Sequence, residues 1–340
     1  MANEVVSLSP PCAELHLHIE GTIEPEMVLE FADRNRITLP YADAAELSGH
    51  YEFDNLQSFL DLYYANMEVL RTEEDFADLT SAYLRRAHEG GVRHAEIMFD
   101  PQAHTSRGIP VQTAVNGVAY ALANTAADLG MSTRLIAAFL RDRPESEAIS
   151  VLHELLEMDA PIFAVGLDSA EVGHPPSKFT DLFSLAKANG LMRVAHAGEE
   201  GPPEYVEEAL DLLDVFRIDH GIRALENPDL VARLVEEQIP LTVCPLSNVR
   251  LKAVASISEH PLKQMLEAGL NVCVNSDDPS YFGGYVDDNY RAVAEALGLT
   301  RGQLAQLARN SILSSVLPKE REVELLEEIS YWLGSGDWVG

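Results

Sequence analysis

Four residues combine side-chain types that together hold a divalent metal ion. His16 and His18 are two positions apart, so on a β-strand their side chains lie on the same face. Two buried imidazoles are costly unless something binds them, and His196 and Asp277 offer further ligands from later in the chain. Three neutral imidazoles and one carboxylate suit zinc and leave a position for water, and Fe(II) accepts the same set. The pattern therefore predicts one divalent metal ion bound by these four side chains.

Three more polar residues accompany the predicted ligands. Glu199 lies three positions after His196, where a carboxyl group can exchange protons with a substrate above the metal; the alternative is a first-turn helix glutamate stabilised by the helix dipole. His220 follows an apolar segment and is placed to contact the attacking water, unless it is a purely structural histidine. Asp278 directly follows Asp277, and neighbours on an extended strand point opposite ways, so one binds metal and the other substrate.

These residues all stand at the ends of short, nearly continuous apolar segments, which are typical of buried parallel strands. We predict eight strands, near residues 13–18, 93–99, 133–139, 163–168, 192–197, 216–219, 240–244 and 271–275. Helical patterns separate them, near residues 24–36, 73–89, 112–128, 146–158, 178–189, 203–214, 228–238 and 261–268, with two more near 302–315 and 320–333. This alternation predicts an α/β fold, a single (β/α)8 TIM barrel over residues 1–340, with its chemistry at the C-terminal strand ends.

The segment between the first two predicted strands is longer than one crossover helix needs. Within it, residues 45–75 carry apolar side chains at helical spacing. We expect a helical insertion that packs on the barrel, and the same helix can act as a lid over its mouth. An open doubly wound sheet is the alternative fold, but the Gly-rich phosphate loop expected after its first strand is missing from the sequence.

Several metal-dependent chemistries lack their motifs. A bridged two-metal centre in such barrels normally uses a carboxylated lysine at the fourth strand end, yet no lysine precedes Lys178. The sequence contains neither the H-E-x-x-H motif of metalloproteases nor the H-x-E…P-C-x-x-C motif of cytidine deaminases. These absences favour a mononuclear site of a different kind.

Composition narrows the range of partners. The 340 residues include 24 Lys and Arg against 55 Asp and Glu, for a net charge of −31, which repels nucleic acid and anionic membranes. The three cysteines form no disulfide framework, and we see no signal peptide and no apolar segment long enough to span a membrane. We therefore expect a soluble, cytoplasmic protein with a small-molecule substrate. Homo-oligomer formation stays open because no surface patch marks it.

Four segments together resemble the adenosine/AMP deaminase family of the amidohydrolase superfamily. In the family's order and spacing they are His16-Leu17-His18-Ile19-Glu20-Gly21, His196-Ala197-Gly198-Glu199, Asp219-His220-Gly221 and Ser276-Asp277-Asp278-Pro279. The resemblance implies a (β/α)8 barrel, one zinc ion per chain and hydrolytic removal of ammonia from a 6-aminopurine. By this resemblance, zinc is bound by His16, His18, His196 and Asp277. Glu199 protonates purine N1, and Asp278 forms a hydrogen bond with N7. His220 orients the attacking water and helps to deprotonate it.

The substrate prediction depends on where the sequence departs from adenosine deaminases. They typically read Asp-Leu-Ala-Gly where this chain reads Asp168-Ser169-Ala170-Glu171, and they usually carry a ribose-binding Asp at the position of Glu20. In place of the glycine, Glu171 would accept the N–H of free adenine and would be left unpaired facing a ribose. A surface loop carboxylate is the structural alternative for Glu171.

Residues 166–176 and 196–203 resemble the adenine deaminase branch found in bacteria and fungi. We therefore expect hydrolytic deamination of adenine to hypoxanthine and ammonia by a zinc-activated water, in purine salvage. Two alternatives stay open. One is a deaminase of adenosine, of an N6-substituted adenine or of another 6-aminopurine. The other is an inactive barrel that binds a purine or a protein partner, although the retention of all four ligands together with Glu199 and His220 argues against it.

Overall fold

Eight parallel strands form one continuous sheet in the computed structural model, which describes residues 9–335, and they follow one another in chain order. They are β1 (Cys12–Glu14), β2 (Val92–Phe99), β3 (Ser132–Leu140), β4 (Ile162–Asp168), β5 (Met192–Ala197), β6 (Arg217–His220), β7 (Pro240–Val243) and β8 (Asn271–Val274). A parallel bridge between Leu17 and Asp277 brings the two outer strands together and nearly closes the sheet. The predicted TIM barrel is confirmed.

Helices cover the outside of the barrel and its C-terminal end. Over residues 9–335 the α-helices are α1 (Pro25–Asn35), α2 (Ala44–Ser48), α3 (Leu56–Met67), α4 (Glu73–Glu89), α5 (Pro101–Thr105), α6 (Val111–Asp128), α7 (Glu145–Glu157), α8 (Thr180–Ala188), α9 (Pro203–Leu212), α10 (Pro228–Glu237), α11 (Pro245–Arg250), α12 (Leu262–Glu267), α13 (Pro279–Phe282), α14 (Val286–Leu297), α15 (Arg301–Leu313) and α16 (Lys319–Gly334). Short 3-10 turns occupy Ile19–Thr22, Pro176–Phe179, Ile222–Glu226 and Ile257–Glu259. Within this part of the chain, no helix is both long enough and apolar enough to cross a bilayer.

The observed elements differ from the predicted ones at two places. The first strand pairs regularly only over β1, because the chain beyond it makes single bridges at Leu17 and His18 and then turns into a 3-10 helix. Four helices are additional, namely α14 and the short α5, α11 and α13. Each of the three short ones starts at a proline in the segment that follows a strand. Helices of four to six residues are too short for apolar periodicity to reveal.

The barrel interior contains an apolar cluster, a buried ion pair and a group of titratable residues. An apolar cluster of inward-facing strand residues fills part of it, formed by Met98, Ile136, Ala138, Ala164 and Val194. Beside it, Glu96 and Arg217 are fully buried and form an ion pair of 2.5 Å across the barrel from β2 to β6. Titratable residues then crowd the C-terminal strand ends.

The long connection between β1 and β2 is helical, as predicted, and contains α1 to α4. Helix α3 begins with a reciprocal capping box between Asn55 and Ser58, which satisfies N–H groups at the helix start. Its aromatic side chains pack against α13, with Phe59 4.7 Å from Phe282 and 5.5 Å from Tyr281 between ring centres. These contacts hold α3 across the C-terminal end of the barrel.

Candidate active site

The four predicted metal ligands converge at the C-terminal end of the barrel from β5 and from the chain following β1 and β8. His196 Nε2 lies 3.0 Å from His16 Nε2 and 3.2 Å from His18 Nε2. Asp277 Oδ1 lies 3.4 Å from His16 Nε2 and 3.7 Å from His18 Nε2. Tetrahedral ligands bound to zinc at its usual distances are about 3.4 Å apart. The buried cluster therefore fits a single ion of that size.

In each of the three ligand histidines, the ring nitrogen that points away from the cluster, Nδ1, faces an acceptor. His16 Nδ1 lies 3.1 Å from Thr242 Oγ1. His18 Nδ1 lies 3.5 Å from Asp100 and 3.6 Å from Asp168. His196 Nδ1 lies 3.7 Å from Asp219. Such partners fix the ring orientation and make the inner nitrogen a better ligand. Ser247 Oγ also donates to Asp277 Oδ2 at 2.7 Å.

Electrostatics favours the metal-binding protonation states. Burial lowers the pKa of His196 well below its usual value, and His16 and His18 lower it further, so the ring is kept neutral. Burial opposes ionisation of Asp277, but His16, His220 and His18 together outweigh it and hold the pKa of Asp277 well below its usual range. A neutral imidazole and an ionised carboxylate are the ligand forms that a cation requires.

Glu199 lies in the loop that joins β5 to α9, close to the cluster. Its Oε2 is 3.6 Å from His220 Nε2, while its buried Oε1 has no hydrogen-bond partner. Burial, and then the charge of Asp277, raise the pKa of Glu199 well above its usual value. Both effects favour the protonated carboxyl group, the form that can donate a proton.

A chain of hydrogen bonds fixes which nitrogen of His220 carries its proton. The Leu262 N–H donates to His260 Nδ1, so His260 carries its hydrogen on Nε2 and donates it to Asn248 Oδ1. The Asn248 amide then donates to His220 Nδ1 at 3.2 Å. Burial, followed by His16, lowers the pKa of His220 to about 3, so the ring is neutral and its Nε2–H points toward Glu199 and Asp277.

Two site residues adopt backbone conformations that are unfavourable for side-chain-bearing residues. His220 has φ 67° and Asp277 has φ 66°, in the left-handed region. Such conformations cost on the order of 1–3 kcal/mol each and persist only where the surroundings enforce them. The bends aim both side chains into the site, which a sequence pattern for strands does not reveal.

Asp278 lies against Gly21, the last residue of the His16–Gly21 motif. A Cβ atom at position 21 would overlap the Asp278 carboxyl group, so the glycine makes the room for it. Asp278 Oδ1 is buried without a hydrogen-bond partner. Burial, and then Asp277, raise the pKa of Asp278 well above its usual value, which favours the protonated form.

A pocket joins these groups to the underside of α3. Its apolar wall consists of Leu56, Phe59, Leu60, Tyr63, Tyr64, Leu251 and Phe282, and its polar wall of His18, Asp100, Asp168, Ser169, His196, Glu199, His220, Asp277 and Asp278. The apolar wall suits the faces of a flat ring, and the polar groups suit its edges. Helix α3 is thereby placed over the polar groups.

Two polar residues of this wall were not assigned a role from the sequence. Asp100 Oδ1 and both carboxylate oxygens of Asp168 are buried without hydrogen-bond partners. Asp100 directly follows β2 and Asp168 is the last residue of β4, so both stand at the catalytic end of the barrel. An acidic residue at such a position is the signal that could have identified them.

The structure does not bring Glu171 and Glu20 to the pocket wall. Both oxygens of Glu171 accept backbone N–H groups from residues 198–201. Glu20 Oε1 accepts from the Asp100 N–H at 3.0 Å and from His104 at 2.6 Å, beneath the pocket. The other predicted site residues are brought together as a group, with His16 among the buried ligands and the rest lining the pocket.

The model of the adenosine deaminase family matches residues 11–332. An adenine deaminase of Stutzerimonas stutzeri is 57% identical over 302 residues, 89% of this chain and 96% of that protein. One of Streptomyces coelicolor is 58% identical, covering 92% of each chain. The crystal structure of adenine deaminase from Arthrobacter aurescens is similar with a TM-score of 0.95 and 62% identity, covering 96% of this chain and 100% of that one. An amidohydrolase from Burkhoderia ambifaria with bound Zn is similar with a TM-score of 0.87 and 27% identity, covering 96% and 92%.

Proposed function

The chain belongs to the adenosine deaminase family, and we propose that it hydrolyses adenine to hypoxanthine and ammonia, in purine salvage. One observation carries this proposal: the buried carboxyl groups of Glu199 and Asp278, whose pKa values burial raises, face the same pocket as the metal-ligand cluster, under an apolar wall. The substrate is supported by the relatives, which are named adenine deaminases and are aligned over most of the chain.

We propose that His16, His18, His196 and Asp277 hold one zinc ion per chain, with Fe(II) as the alternative. The amidohydrolase relative with bound Zn supports this choice. When bound, such an ion supplies a hydroxide nucleophile at neutral pH by lowering the pKa of water to about 7.

Glu199 serves as the proton donor to the purine. Attack at C6 breaks the ring C6–N1 double bond and moves negative charge onto N1, where a proton must arrive. The protonated Glu199 supplies it, because burial and the nearby Asp277 keep its pKa high. The proton of the new C6 hydroxyl then passes to the amino nitrogen, the C6–N bond breaks to release ammonia, and the C6 oxygen becomes the carbonyl of hypoxanthine. The proton that water loses on becoming hydroxide restores the acid form of Glu199.

His220 and Asp278 hold the reacting atoms in place. The hydrogen-bond chain from Leu262 leaves a hydrogen on His220 Nε2, so His220 donates to the attacking oxygen and orients it. This donor state supports the orienting role expected of His220 and not the expected deprotonation of the water. The protonated Asp278 donates to purine N7, which accepts. Both groups act as donors and so lower the energy of the negative charge that develops on the ring and on the oxygen.

Free adenine differs from adenosine by an N–H on its imidazole ring. Asp168 Oδ1, which is not one of the oxygens that face His18, lies on the polar wall of the pocket and is an acceptor for that group. A nucleoside offers no N–H there, so its binding would leave this oxygen without a partner. Helix α3 covers the bound base as a lid.

The experiment is a deamination assay of metal-replete protein with adenine and adenosine, scored by kcat/KM for each. A strong preference for adenine supports the proposal. Preference for adenosine would overturn the substrate while leaving the chemistry in place. Turnover of neither purine by metal-replete protein would overturn the function itself.

A further inference from the structure

We propose that Glu171 is a positioning residue that fixes the loop carrying Glu199, and does not contact the substrate. The inference rests on the proposed function, since it concerns the proton donor of that reaction. Glu171 follows β4, and its carboxyl group is buried against residues 198–201, which connect β5 to α9.

The Glu171 carboxylate binds four consecutive backbone N–H groups. Gly198 N donates to Oε1 at 2.7 Å. Three more N–H groups donate to Oε2, from Glu199 at 3.1 Å, Glu200 at 2.8 Å and Gly201 at 2.7 Å. An ionised carboxylate has about four lone-pair sites. Four N–H groups already donate to it here, and the buried carboxylate is absent from the pocket wall, so it is not placed to accept an adenine N–H.

The same loop is held from its other side by Arg223. The Arg223 N–H donates to the Gly198 carbonyl at 2.9 Å, and its guanidinium donates to the Glu200 carbonyl. Residues 198–201 form no helix or strand, so these contacts replace the regular hydrogen bonds that would otherwise define the backbone. Glu199 lies between the two carbonyl contacts, and its side-chain position follows from them.

Gly201 has no side chain and so leaves room for the Glu171 carboxylate. A Cβ atom at this position would lie 2.5 Å from Glu171 Oε1. The glycine therefore permits close contact between the loop and the carboxylate, and a Gly201→Ala substitution would push them apart. This change disturbs the contact while leaving the Glu171 charge intact, so it is a second and independent probe.

The test is a double-mutant cycle of Glu171→Gln and Glu199→Gln in the metal-loaded enzyme, with Glu204→Gln as the matched control. Gln keeps the size of Glu171 but turns an amide NH2 toward backbone N–H groups. Glu204 loses the same charge from an exposed position on α9. For each variant, kcat and KM for adenine, turnover of adenosine, metal content and thermal unfolding are measured.

We expect Glu171→Gln to lower kcat by about 100-fold, the effect of misplacing a catalytic group by about 1 Å, with KM within a few-fold. The losses of Glu171→Gln and Glu199→Gln should not multiply in the double variant, because one acts through the other. Gly201→Ala should reproduce the fall in kcat. Glu204→Gln should keep wild-type rates, and adenosine should stay unreactive throughout.

Three results would overturn the inference: gain of adenosine turnover by Glu171→Gln, multiplying losses in the double variant, or unchanged kcat in both Glu171→Gln and Gly201→Ala. If Glu171→Gln fails to fold, Gly201→Ala alone decides between loss and retention of kcat. Failure of the function is a separate outcome, because then the wild-type enzyme itself does not deaminate adenine.

Discussion

Two buried glutamates inside the same barrel have opposite surroundings. Glu96, midway along β2, accepts from Arg217 at 2.5 Å and from the Val316 N–H at 2.8 Å. Burial opposes its ionisation, but Arg217 and His94 together outweigh burial and lower the pKa of Glu96 to about 2. Glu199, at the C-terminal end, keeps one oxygen without a partner, and burial and Asp277 raise its pKa well above the usual value.

The contrast shows where the molecule is built for stability and where for chemistry. A buried polar group without a partner costs about 1–3 kcal/mol, so a fold retains such groups only where something compensates. Beside the apolar cluster the carboxylate of Glu96 is paired. At the catalytic end, Glu199, Asp278, Asp100 and Asp168 each keep an unpartnered oxygen. In the proposed function, the carboxyl groups of Glu199, Asp278 and Asp168 are the ones left to contact the substrate.

Removing a metal ligand should have the largest effect. His196→Ala deletes the imidazole that lies near both His16 and His18, so we expect loss of the bound ion and a fall of turnover to the uncatalysed background. Elemental analysis and an ammonia-release assay on the same sample check this. Chelation of the wild-type enzyme should do the same reversibly, with activity restored by added zinc. Full activity after complete metal removal would contradict the account.

Glu199→Gln should come next. The amide cannot give up a proton to N1, so kcat should fall by about 10²–10⁴-fold, the range typical of a lost general acid. Metal content should stay at the wild-type level, because Glu199 is not among the four converging ligands. A variant that keeps its metal and its rate would remove Glu199 from the mechanism.

The substitution Arg217→Met tests how much the ion pair between Glu96 and Arg217 stabilises the fold. Removing the partner leaves Glu96 charged and buried, so we expect about 3–5 kcal/mol of destabilisation with little change in kcat per folded molecule. Because the folded-state pKa of Glu96 is lowered to about 2, its pairing stabilises the protein above the unfolded pKa and this contribution is lost as pH falls toward 2. Denaturant unfolding should therefore show the wild-type advantage at neutral pH and its decline in acid. An advantage that does not change with pH would refute this reading.

Asn248→Asp should give the smallest of these effects. An aspartate accepts where the amide donated, so it would move the His220 proton from Nε2 to Nδ1. We expect kcat to fall about 10- to 100-fold, as for other residues that orient a catalytic group. Nitrogen chemical shifts of His220 report the tautomer directly. If the shifts already show a hydrogen on Nδ1 in the wild-type enzyme, the donor role of His220 fails.

Most of the fold could be predicted from sequence because buried parallel strands and glycine-terminated helices leave strong local patterns. The pairing of His16 with His18 and the placement of acidic residues at strand ends pointed to the metal site for the same reason. The direction of the Glu171 side chain could not be predicted, because the N–H groups of a different loop determine it. The donor state of His220 likewise depends on Asn248 and His260, whose contacts arise only when the chain folds.

The most direct test of the central claim titrates metal-free protein with zinc while hypoxanthine formation from adenine is followed. We expect activity to rise in proportion to bound zinc and to reach its maximum at one ion per chain, in line with the cluster of His16, His18, His196 and Asp277. Adenine turnover independent of bound metal, or no turnover of adenine at full occupancy, would contradict it.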